Sequence, residues 1–129
     1  MPNRARDWLN QALRDLEQAA DSRQAGRHEW VCFAAQQAGE KAVKALHLHL
    51  GQDAWGPVVA KLLVELPDSV RPPTALVDKG RVPDTFYIPP RYPNSHPEGA
   101  PFEHYGVLQS DEAIRYASEI VDFVRSQVA

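Results

Sequence analysis

Sulfur is scarce in this sequence. A lone cysteine, Cys32, excludes an internal disulfide and every cysteine-rich zinc pattern, and it fits a reducing compartment. Long apolar runs are missing as well. None approaches the roughly 18 residues of a membrane span, and the N-terminal stretch MPNRARDWLNQALRDLEQ is charged where a secretory signal needs an apolar core. A cytoplasmic protein that uses no membrane is therefore expected. Basic excess is also absent: 14 lysines and arginines against 17 aspartates and glutamates leave a formal net charge of -3, so any anion site has to be local. No GxGxxG, P-loop or HExxH pattern occurs, which leaves dinucleotide folds, P-loop NTPases and zincins without support. Nothing implies a cofactor. The chain has 129 residues, enough for one hydrophobic core, and a single domain over 1–129 is expected.

Proline is present but confined. Nine of the eleven prolines lie from Pro67 to Pro101, while Ala5 to Gly56 and Phe102 to Ala129 contain none. An interior proline removes a backbone donor and clashes with the preceding turn, so long helices belong in the two proline-free stretches. In the first stretch Trp8, Leu9, Ala12, Leu13, Leu16, Ala19 and Ala20 recur at spacings of three and four, predicting an amphipathic helix from about Asn3 to Gln24 that closes near Gly26. A second helix, from about His28 to Leu50, is apolar on more than one face, as a central helix must be, and Gly51 ends it. Pro57 opens a shorter third helix through Val58, Leu62 and Leu66. Ser110 can cap a last helix whose inward positions include Ala113, Ala117, Ile120 and Val124. The fold class is thus all-α: an up-and-down four-helix bundle with a long proline-rich connection before the last helix, which leaves room for one extra short helix.

Histidine and cysteine do not cluster. His47 and His49 point to different sides of a helix, and His28 with Cys32 gives two ligands and no evident third, so no metal site is expected.

The densest chemistry sits in YIPPRYPNSHPEG, Tyr87 to Gly99. Arg91 between Tyr87 and Tyr92 combines a permanent charge with aromatic faces, a composition suited to a phosphate and a stacked base. Prolines 89, 90 and 93 stiffen the backbone around it, so less entropy is lost on binding. The alternative is that Arg91 caps a helix or pairs with an acid and that His96 is a solvated loop histidine. On the second helix Gln37, Lys41 and Lys44 lie near one side, where a lysine could join Arg91 around an anion; Lys44 could equally pair with Glu40 one turn away. Gln36 and Gln37 suit a bond to a loop carbonyl or across a symmetric helix interface.

Three segments, WLNQALRDLEQA (Trp8 to Ala19), FAAQQAGEKAVKAL (Phe33 to Leu46) and FYIPPRYPN (Phe86 to Asn94), occur in an order and at separations that resemble the HEPN domain family over nearly the whole chain. The resemblance implies a helical module that binds nucleotides or RNA, usually as a homodimer. It also implies a minimal nucleotidyltransferase as partner, in a two-component system of toxin-antitoxin type. Ligand contacts would fall on Arg91, Tyr92, Tyr87, Lys41, Lys44 and Gln37. Other members are metal-independent endoribonuclease toxins that use an arginine and a histidine on one helix. RYPNSH supplies Arg91 and His96 with four residues between them, although Pro93 and Pro97 forbid a helix here. In that alternative His96 would be the general base for the 2'-hydroxyl, and Arg91 would stabilise the phosphorane across a dimer. Whether the protein is an enzyme stays open at this level.

Overall fold

The computed structural model describes residues 3–128, and these form five α-helices and no strands. The first, α1 (Ala5–Gln24), and the second, α2 (His28–His49), are joined by the turn that the sequence marks with glycine. Gly26 adopts φ +74 there, while the Arg27 amide reaches the Ser22 carbonyl at 2.9 Å and the Gly26 amide that of Arg23 at 3.0 Å. This is the Schellman arrangement, in which a left-handed residue lets the chain satisfy orphan helix carbonyls. α2 packs most extensively against α1 and then against α5 (Val107–Val128), and it touches every other helix. That position explains its composition: Val31, Ala35, Ala38, Ala42, Val43, Ala45 and Leu46 are all fully buried around its circumference.

Short α3 (Val59–Val64) and α4 (Thr74–Asp84) pack on each other and against α2, and α4 also meets α5. Their close approach depends on Gly80, where an added Cβ would stand 3.4 Å from the Ala60 backbone and 3.3 Å from the Leu63 side chain. Asp84, at the end of α4, caps α3 from a distance by accepting the Val59 and Ala60 amides at 2.5 and 3.2 Å. Burial raises the Asp84 carboxyl above its ordinary range, partly offset by those two amides and by Arg81.

Two expectations are refined. The extra helix is α4, of 11 residues, inside the proline-rich connection: Pro72 and Pro73 precede it and Pro83 falls in its last turn, so prolines border the helix rather than divide it. The last helix begins at Val107, not at Ser110. Gln109 closes its start by accepting the Gly106 amide at 2.7 Å, and Ser110 is buried with its hydroxyl 2.6 Å from Nδ1 of His28.

The rest of the connection lies on the bundle. Phe86 is buried with Cys32, Ala35, Ala113 and Ala117, and Pro83 and Pro90 are fully buried. Tyr87 and Tyr105 are half-buried, whereas Ile88, Tyr92 and Phe102 remain largely exposed. The tip at 95–100 carries its own bonds: His104 Nε2 to the Glu98 carbonyl at 2.6 Å and the Ala100 amide to Glu103 at 2.7 Å.

Candidate functional site

Arg91 leaves α4 behind by one irregular turn, and its side chain folds back over α2. Nε donates to the Tyr87 carbonyl at 2.8 Å. The guanidinium carbon lies 4.4 Å from the ring centre of Phe33, 4.9 Å from that of Tyr87 and 5.3 Å from that of Tyr92. One aromatic from α2 and two from its own segment thus hold a half-buried cation. No carboxylate among the described residues pairs with it, so the terminal nitrogens keep their donors for a ligand.

The α2 lysines differ. Lys41 Nζ is 2.6 Å from Asp15 Oδ2, joining α2 to α1, and Lys44 Nζ is 2.8 Å from Glu40 Oε2 and 5.8 Å from the Trp8 ring centre. The alternative of a Glu40–Lys44 pair is the one present. Phe33, Gln37 and Lys41 follow one another at four-residue intervals on one side of α2, so the Lys41 backbone stands roughly 12 Å along the axis from that of Phe33. Gln37 and Lys41 line a neighbouring cavity with Phe33.

His96 turns elsewhere. Its Nε2 is 2.7 Å from the Pro89 carbonyl, which can only accept, so that nitrogen carries the proton and Nδ1 holds the lone pair of the neutral ring. The ring stacks on His104 at 4.3 Å and 3° and meets Tyr105 edge-on at 5.9 Å. The side-chain partners of His96 and Arg91 are different, and a short 3-10 turn, Pro93–Ser95, separates the two residues.

Gln36 is fully buried and bonds the Pro57 carbonyl, the loop-carbonyl alternative. Cys32 is buried, and desolvation together with Glu29 pushes its thiol up to about 12, so it is not a nucleophile. Among the described residues no group of three or more potential ligands for a metal exists, and none of their helices is long and apolar enough to cross a membrane. Phe33 is the site residue that composition alone did not single out. The available signal was the four-residue repeat Phe33, Gln37, Lys41 on a helix whose other faces are apolar.

The HEPN domain family model matches residues 5–127. A crystal structure of a protein from Thermus thermophilus superposes with TM-score 0.95 at 48% identity, covering 98% of this chain and 99% of that one. An archaeal HEPN homologue gives TM-score 0.83 at 36% identity, with both chains covered in full. An HEPN domain protein of Thermotoga maritima gives 0.75 at 31% identity, over 95% of this chain and 97% of its own. No curated protein matches the sequence. The chain belongs to the HEPN domain family.

Proposed function

We propose that the protein binds nucleotides or RNA at a site centred on Arg91. One observation carries the reading: a half-buried guanidinium is stacked on Phe33, Tyr87 and Tyr92, anchored through Nε, and left without a carboxylate. Desolvated, immobilised and unneutralised charge is costly to maintain without an anion to receive it, and arginine between aromatic rings suits phosphate plus base. In this reading Arg91 takes the phosphate and Tyr92, exposed at 48%, offers a stacking face. Tyr87 orients the arginine, and Gln37 extends the contact along α2, where Lys41 is held by Asp15. Lys44 supports the site through its pair with Glu40. The protein acts as a cytoplasmic homodimer beside a minimal nucleotidyltransferase in a two-component system, a proposal supported by membership of the family and by exposed apolar side chains such as Val107 and Leu108. Titration calorimetry with adenosine monophosphate and a short single-stranded RNA tests the site. Binding that weakens about tenfold or more in Arg91→Ala at unchanged thermal stability is the expected result.

A second reading, a metal-independent endoribonuclease, draws on the lone pair that His96 keeps at Nδ1. Cleavage of RNA in EDTA that is lost in His96→Ala would establish it; intact RNA with normal binding favours the binder.

A further inference from the structure

Beside the arginine, a cavity of about 390 Å³ opens on the seam of α1 and α2, lined among others by Asp15, Gln18, Trp30, Phe33, Gln37 and Lys41. Its volume suits a small planar ligand. Trp30 and Phe33 have ring centres 6.2 Å apart at 78°, so a flat ring stacked on one stands edge-on to the other. Phe33 is shared: its ring carries Arg91 and also lines this cavity. Within the cavity Lys41 is neutralised by Asp15 at 2.6 Å, while Arg27 at its edge, like Arg91, has no carboxylate partner among the described residues.

The hydrogen-bond polarity of the cavity is set from within the core. Gln36 Nε2 lies 3.0 Å from Glu40 Oε1 and 3.0 Å from the Pro57 carbonyl. Glu40 accepts from Lys44 through its other oxygen and the Pro57 carbonyl can only accept, so the amide nitrogen of Gln36 faces both. Its Oε1 then faces Gln37, whose Nε2 donates to it at 2.7 Å. This relay fixes the Gln37 amide with its own Oε1 free of any partner among the described residues, on a side chain that lines the cavity. Asp15 adds carboxylate lone pairs to the same wall.

We propose that this cavity is a nucleobase pocket selective for bases that carry an exocyclic amine, with Trp30 and Phe33 as stacking faces and Gln37 Oε1 as the acceptor that reads the amine. The proposal rests on the reading that the phosphate of the same nucleotide lies at Arg91. Adenine and cytosine present an amino group to the free oxygen. Uracil and hypoxanthine present carbonyl oxygens there, which meet Gln37 Oε1 and Asp15 as like dipoles. Glu40 and Gln36 are positioning residues: they touch no ligand and hold the Gln37 amide in one orientation.

Calorimetric titration of the full chain with adenosine, inosine, cytidine and uridine monophosphates, with ribose 5-phosphate and with free adenosine tests it. Adenosine and cytidine monophosphates are expected to bind at least about tenfold tighter than inosine and uridine monophosphates, each good hydrogen-bond distinction being of that order. Trp30→Ala, at a side chain 46% exposed and so tolerated by the fold, should reduce every nucleotide to the affinity of ribose 5-phosphate. Gln37→Leu should remove the preference of adenosine over inosine monophosphate while the Arg91 dependence persists. Ribose 5-phosphate binding as tightly as adenosine monophosphate, with both lost in Arg91→Ala, would overturn the pocket and leave the anion site standing. Free adenosine binding that needs Trp30, together with nucleotide binding indifferent to Arg91→Ala, would leave the pocket standing and overturn the anion site. Absence of binding by all six ligands overturns both.

Discussion

Lys41 and Lys44 on α2 and Arg91 on the proline-rich segment are all half-buried cations, but they are held in opposite ways. The lysines sit on a regular helix, and each is closed off by a carboxylate, with the side chains of the Lys44–Glu40 pair only 15% and 14% exposed. Arg91 sits on irregular backbone and is held by three rings and one carbonyl, none of which cancels its charge. A paired cation in a partly dry seam stabilises the fold and has little field left for a ligand. One held by aromatic rings keeps its charge and its donors. The contrast assigns stability to the two α2 lysines and anion binding to Arg91.

The comparison breaks first at Glu40. Glu40→Ala strands the Lys44 ammonium and removes an acceptor from buried Gln36, so stability should fall by roughly 2–3 kcal/mol, less than for a fully buried pair because some solvent reaches it. Urea unfolding followed by circular dichroism measures this. Next comes Arg91→Ala, which should cost binding roughly 1–3 kcal/mol and stability little. Arg91→Lys sharpens the point: an ammonium retains the charge but not the planar fork, so it should restore only part of the affinity.

Cys32 reports whether the segment stays on the bundle, because it packs with Phe86 beneath it. With its thiol pushed up to about 12, thiolate is nearly absent across pH 7 to 9, and labelling by an alkylating reagent should stay slow and rise with pH only through global or local opening. Rapid labelling at pH 8 in the native protein would mean that Phe86 lifts off and that Arg91 is not preorganised. The smallest effect is expected at His96. Its ring bonds a carbonyl and stacks on His104, away from the partners of Arg91, so His96→Ala should leave nucleotide affinity nearly unchanged.

How much of this was legible in the sequence depends on range. The three long helices follow from apolar spacing and from the absence of proline, and the Schellman turn at Gly26 from the glycine itself. α4 was hidden because bordering prolines look like breakers until their place relative to the helix is known. Ser110 resembled a cap, yet the spare hydrogen-bonding group it satisfies belongs to His28, distant in sequence. Local clustering brought out Tyr87, Arg91 and Tyr92, and four-residue spacing brought out Glu40 with Lys44. The Asp15 partner of Lys41 and the Phe33 ring beneath Arg91 come from other elements, and no local pattern announces them.

The most direct test is a titration of adenosine monophosphate into the wild-type protein, Arg91→Ala and Lys41→Ala, with the thermal midpoint of each recorded in the same buffer. A loss of about tenfold or more in Arg91→Ala at an unchanged midpoint, beside near-normal affinity in Lys41→Ala with a lowered midpoint, is the predicted result. An Arg91→Ala protein that melts early yet binds normally per folded molecule, or a Lys41→Ala protein that loses as much affinity, would contradict it.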